Sequence, residues 1–180
     1  KGFRDAIENS NQSITFTKVG SHHQNVIVKA LIKKLTLTAR TLLLHAKRNW
    51  PEAITTMLWP FALKAAAEQH NLFSFDKDKR NPISKFTGTD VNDFDLSTFH
   101  TWGCPVYVLE SKLQSGPKGL LKWDPRARVG IYLGHSPVHA GNVAFVLNLS
   151  TGHVSPQYHL VFDDDFTMVP HMSNETIPPN

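Results

Sequence analysis

The chain has 180 residues, 41% hydrophobic and 19% charged, with 19 Lys+Arg against 15 Asp+Glu for a net charge of +4. That balance is too apolar for a disordered chain and suits one domain or two small ones. No apolar run approaches the roughly 18 residues a membrane span needs, and Cys104 has no second cysteine for a disulfide. A chain opening on Lys1, with no charged-then-apolar leader, reads as a piece of something longer without a secretory signal.

In chain order, Ser13–Val19 (SITFTKV) alternates β-branched and aromatic residues, and Gly20-Ser21 closes it, so it reads as a strand. Val26 to about Asn49 is the clearest helix. At the helical period, Val28, Leu31, Ile32, Leu35, Ala39, Leu42, Leu43 and Ala46 share one apolar arc. Lys29, Lys33, Arg40 and Lys47 fall together on the other side, and Pro51 ends the helix after Trp50. A second helical stretch runs from about Glu52 to Gln69, with Trp59-Pro60 expected to kink or break it. By their helical spacing, Trp50, Trp59 and Phe61 read as packing residues. Residues 71–82 read as a loop, Ile83–Gly88 as one helical turn stopped by Gly88, and Thr89–Ser97 as the best domain boundary.

From Phe99 onward the pattern changes. Val106–Leu109, Arg128–Leu133, Val143–Leu147 and Tyr158–Phe162 read as short strands punctuated by glycines, which suggests a small barrel or curled sheet. After Asp165 the tail, rich in Pro and Asn, reads as loose.

The charge is unevenly spread. Residues 1–100 hold 14 Lys+Arg and 9 Asp+Glu, whereas residues 101–180 hold 5 and 6. Between Gln24 and Arg48 stand Lys29, Lys33, Lys34, Arg40, Lys47 and Arg48, with no acid among them. Such an excess fits an anionic partner or a solvated helix face.

Candidate chemistry is sparse. The ten histidines include the adjacent pair His22-His23, but neither a second pair nor cysteines stand at zinc-finger spacing. His22, His23, His45, His70 and His100 therefore read as surface or hydrogen-bonding residues, and no metal site is expected. Asp163-Asp164-Asp165 directly follows a strand, where successive side chains alternate faces and cannot converge on one ion. Cys104 lies in an apolar setting (WGCPVYV) and reads as a small buried hydrophobe. Phosphate-cradling and nucleophile-elbow motifs are absent from the sequence.

Two segments carry a family resemblance. SHHQNVIVKALIKKLTLTARTLLLHAKRNWPEAITTMLWPFAL resembles the end of the integrase core of copia-type (Ty1/copia) retrotransposon polyproteins. There, a His-x-Gln-Asn-Gly stretch leads into a long helix, and a Trp-Pro-Phe/Tyr-Ala-Leu motif follows. The stretch from Thr98 to Phe166 is similar to the SH3-like β-module behind that core. It shares Phe99, Gly103-Cys104-Pro105, Lys122-Trp123, Arg126, Gly130, Leu133-Gly134, Asn148, Thr151-Gly152, Val154-Ser155, His159 and Val161-Phe162-Asp163.

The resemblance spans about residues 13–167. It implies an α+β chain: the C-terminal part of an RNase H-like core over 1–88 (one strand and long helices), a linker over 89–98, an SH3-like β-barrel over 99–166, and a tail over 167–180.

The family's core holds two Mg²⁺ ions about 4 Å apart with three carboxylates, the arrangement that in-line phosphoryl transfer requires. The resemblance puts the third carboxylate four positions after Asn25, where this sequence has Lys29, and Val26 replaces the motif's Gly. Both aspartates of the triad belong to strands upstream of SITFTKV. The implied molecule is a catalytically inactive integrase remnant without a metal cofactor, because a lysine repels the cation a carboxylate would bind.

The implied partner is DNA, bound weakly and without sequence preference by Lys29, Lys33, Arg40 and Lys47 on the long helix. Lys122, Arg126 and Arg128, with Lys112 and Lys118, extend the set on the β-module. Self-association as in integrases, an intracellular location (the nucleus if the ancestral role is retained) and no membrane contact complete the expectation. The rival is a structural or protein-interaction module without a DNA role. An active enzyme completed by upstream carboxylates is disfavoured, since no acid occurs between Glu8 and Glu52. The stripped core is expected to be marginal, and Phe99–Phe166 to fold independently.

Overall fold

The computed structural model describes residues 2–14, 16, 19, 25–89, 98–110, 113 and 122–172. Among these, four helices precede five strands: α1 (Gly2–Asn9), α2 (Val26–Asn49), α3 (Trp59–Phe73), α4 (Pro82–Thr87), β1 (Pro105–Leu109), β2 (Ala127–His135), β3 (Ala144–Asn148), β4 (Val154–Gln157) and β5 (Leu160–Phe162). The mixed helix-and-sheet class matches the α+β expectation. The chain divides into two compact units, Lys1–Lys34 and Leu35–Asn180.

In Lys1–Lys34, α1 buries no residue, and the Arg4 guanidinium lies 4.8 Å from the centroid of the Phe16 ring. The described members of the expected strand Ser13–Val19 are not in a strand. Alternation gives a segment one apolar face but no ladder partner, and all five sheet strands come from residue 105 onward. Thr15, Thr17, Lys18, Gly20-Ser21, His22 and His23 lie outside the described residues. On the first turns of α2, Val26, Ile27, Val28, Leu31 and Ile32 are exposed, although the periodicity assigns Val28, Leu31 and Ile32 to packing.

In Leu35–Asn180 the same helix does pack. Ala39 and Ala46 are buried, with Leu42 and Leu43 half-buried beside them. Trp50 closes the helix with its N–H donating to Ala46 O at 2.8 Å, and its indole is buried as expected. At Trp59-Pro60 the chain starts a helix rather than kinking one. A proline at this end loses nothing, because the first N–H groups of a helix have no intrahelical acceptor. Trp59, expected to pack, is 56% exposed; it stands one turn ahead of the buried stripe of Ala62, Ala65 and Ala66.

The helix α3 runs on to Phe73, beyond the expected end, and buried Asn81 ties its last turn to α4. The Asn81 Nδ2 donates to Leu72 O at 3.0 Å, while its Oδ1 caps α4 by accepting the Ser84 N–H at 2.8 Å. Gly88 ends α4 at φ 71, the left-handed geometry that glycine supplies without strain.

The strands form one antiparallel sheet in the order β4-β3-β2-β1-β5. Register pairs Val106 with Gly130, Val106 with Phe162 and Tyr132 with Val146, and an irregularity follows between Tyr132 and His135. Four strands fall on the expected short β-type runs, with β5 starting at Leu160 rather than Tyr158. The fifth, β4, contains Pro156, which an edge strand accommodates because one side of its backbone needs no donor. As described, the sheet is open rather than closed into a barrel, with the short strands β4 and β5 at its two edges.

A single buried cluster joins Ala39, Ala46, Trp50, Ile54, Ala62 and Ala66 to Val106, Val108, Ile131, Leu133 and Val146. The helical segment and the sheet are therefore not separate at the expected linker over 89–98, of which residues 90–97 lie outside the described set. The sheet alone would expose the apolar face that α2 and α3 cover, so independent folding of Phe99–Phe166 is not what this packing favours. The tail read as loose from 167 begins packed, with Val169 and Met172 against the cluster; residues 173–180 lie outside the described set.

Candidate nucleic-acid interface

Of the cations expected to meet DNA, Lys29 and Lys33 belong to the unit Lys1–Lys34, and Arg40 and Lys47 to Leu35–Asn180. All four are exposed, while Ala39 and Ala46 on the same helix are buried. On the later turns the helix points Ala39 and Ala46 inward and Arg40 and Lys47 to solvent, whereas around Lys29 and Lys33 the apolar side chains are exposed as well.

A second group arises on another element. Lys122 and Arg126 are exposed ahead of β2, and Arg128 is half-buried on its second residue. Arg126 and Arg128 are two positions apart, so an extended backbone sends their side chains to one face. The segment is anchored at the Arg126 carbonyl, which accepts the Glu110 N–H at 2.9 Å, and by Leu109 paired with Ala127. The Arg128 Nη1 is buried with no hydrogen-bond partner among the described residues. Lys112 and Lys118 lie outside the described residues.

Between Lys122 and Arg126 stands Trp123, one of the residues that carry the family resemblance and not among the expected site residues. Trp123 is 87% exposed, and the Lys122 Nζ lies 5.1 Å from its ring centroid. No sequence signal set it apart, since buried Trp50 also stands beside a proline.

The histidines mostly serve the fold. His70 Nδ1 and Ser74 Oγ are 2.7 Å apart, and the His45 ring meets Phe166 edge-on at 5.8 Å. His100 is held by Asp164 Oδ2 at 2.9 Å from its Nδ1 and stacks on Phe162 at 3.4 Å between centroids. With His135, His159, Thr98 and Asn142, it lines a cleft of about 340 Å³. The His135 Nδ1 lies 3.0 Å from the Tyr132 hydroxyl. Burial, reinforced by the neighbouring His100, holds its imidazole below the usual histidine value against a backbone hydrogen bond to Thr98.

The three aspartates do not converge. Asp163 turns back on the chain, accepting from Thr167 N–H at 3.0 Å, Thr167 hydroxyl at 2.8 Å and Met168 N–H at 2.9 Å. Burial pushes its carboxyl up, but those donors outweigh it and hold the group below the usual carboxylate value. Asp164 instead joins His100 and accepts the Thr101 N–H at 2.5 Å, and Asp165 is exposed.

Among the described residues, no group of three or more His, Cys, Asp or Glu is arranged to hold a metal ion. Cys104 is fully buried; burial, then the charges of Asp164 and Asp163, push its thiol up and keep it protonated.

Compared with known proteins, the chain matches no family model, no curated protein and no solved structure.

Proposed function

We propose that the chain is a catalytically inactive remnant of a copia-type integrase whose surviving activity is weak, sequence-independent binding of DNA. The observation that carries the reading is the helix α2. Six basic residues and no acid lie between Gln24 and Arg48, and Lys29, Lys33, Arg40 and Lys47 are all exposed. Each phosphate neutralised by such a side chain releases a condensed counterion, a gain that does not depend on base sequence.

The residues do not fit the family's Mg²⁺ pair. Where the resemblance calls for a ligating carboxylate, Lys29 presents an ammonium group, which repels the cation. The same lysine adds to the attraction for a phosphate backbone.

The test is a charge reversal. The variant Lys33→Glu plus Arg40→Glu changes two exposed side chains, so folding is expected to survive. Its affinity for a short duplex should fall by about tenfold or more at low salt. Unchanged affinity overturns the reading.

One observation favours a second reading, a protein-interaction or self-association module. Val26, Ile27, Val28 and Ile32 are exposed on neighbouring turns of α2, an apolar surface that charge reversal would leave intact. Sedimentation of the chain as a dimer, unaffected by Lys33→Glu plus Arg40→Glu and without DNA binding, would favour it.

A further inference from the structure

Of the four tryptophans, Trp50 and Trp102 are buried at 1% and 3% exposure, Trp59 is 56% exposed, and Trp123 is the most exposed at 87%. An indole is the largest apolar side chain, and leaving it in water forgoes the burial that Trp50 and Trp102 obtain. The residues around it are cationic. Lys122 sits over the ring, Arg126 is exposed three positions on, and Arg128 follows on β2. Asp124 is the one acid among residues 122–128, and it is half-buried.

The backbone here is not free to swing far. Pro125 restricts φ two residues after the indole, and the next residue is fixed through its carbonyl to Glu110. From Ala127 onward the chain belongs to the β1–β2 ladder.

An exposed aromatic face flanked by cations matches one ligand chemistry: a planar base with a phosphate on either side. In a duplex, both faces of each base are covered by its neighbours, and an indole gains a stacking partner only by prising the stack apart. In a single strand the faces are available. We propose that Trp123 is a stacking platform for an unpaired base, with Lys122 and Arg126 meeting the adjoining phosphates, so that this segment selects single-stranded over duplex DNA. The proposal rests on the nucleic-acid reading above and adds to it the strand state of the substrate. A protein partner is the competing occupant; it would gain nothing from a base and would not discriminate between strand states.

The test uses the full chain and two labelled probes, a twelve-nucleotide oligothymidylate and a twelve-base-pair duplex, titrated at low salt. Trp123→Ala should weaken oligothymidylate binding by about tenfold while duplex affinity stays within about twofold. Trp123→Phe should restore most of the loss, because a phenyl ring still stacks. At this exposed position neither change removes a buried contact, and circular dichroism of both variants checks that the fold is kept.

If Trp123→Ala leaves single-strand affinity unchanged while duplex binding persists, the stacking proposal fails and the nucleic-acid reading stands. Equal weakening on both probes also overturns it, since the residue would then act only on general affinity. If the unaltered chain binds neither probe, both fail together.

Discussion

Gly103 faces Ala46 so closely that a Cβ on the glycine would stand 2.5 Å from the alanine's Cβ. The two residues are far apart in sequence, one on α2 and one just ahead of β1, and their contact is where helix meets sheet. Gly103 also sits at φ +82, where an L side chain is strained. Gly103→Ala therefore meets both a collision and a backbone penalty, and should destabilise the protein by about 3 kcal/mol. Chemical denaturation measures it. The companion change Gly141→Ala, where a Cβ meets nothing within 4 Å, should shift stability far less.

That contact also predicts how the chain comes apart. Because α2, α3 and the sheet share one buried cluster, residues 35–172 should unfold in a single transition. Limited proteolysis should cut first in Lys1–Lys34. An early, stable product confined to 99–166 would show that the shared core contributes little.

Cys104 provides a chemical reading of the same core. With its thiol buried and its ionisation opposed by Asp164 and Asp163, it should react with a disulfide reagent many times more slowly in the native protein than in denaturant. Native reaction at the unfolded rate would place the thiol in solvent.

Asn81 supports two helix ends at once, accepting from Ser84 and donating to Leu72. Asn81→Ala removes a cap and leaves a carbonyl unsatisfied in a buried place, at a cost of about 2 kcal/mol. Thermal unfolding checks this, and a shift smaller than that of an exposed surface substitution would contradict it.

Stability should also depend on pH through His135. Burial first and His100 second hold the folded imidazole below its ordinary value, so the unfolded chain binds the proton at higher pH than the folded one. The stabilisation is therefore complete above about 6.5 and is lost as pH falls toward the folded value. Asp163, also lowered in the fold, acts with the same sign in a more acid range, below about 3.9. Melting temperatures from pH 7.5 to 5.5 should fall, and His135→Gln should flatten that decline. An equally steep decline in the variant would assign it to other groups.

The strands β1, β2, β3 and β5 could be read in advance because each is a short run of β-branched, aromatic and aliphatic residues bounded by turn residues. Pro156 hid β4, since a proline argues against a strand unless the strand is known to lie at an edge. Periodicity located α2 correctly and could not say which turns of its apolar arc would find cover; Ala39 and Ala46 do, while Val28 and Ile32 do not. The contact of Gly103 with Ala46 is tertiary, and no local pattern carries it. For the candidate interface, residue type and helical spacing identified the exposed cations of α2, but nothing in the spacing separated buried Trp50 from exposed Trp59 and Trp123.

The central claim, sequence-independent DNA binding by exposed cations, is tested most directly by anisotropy on a short duplex across a salt series. With about four phosphates neutralised, the logarithm of the affinity should fall against the logarithm of salt with a slope of about −3.6, for unrelated base sequences alike. Binding that ignores salt, or no binding at the lowest salt, would contradict the account.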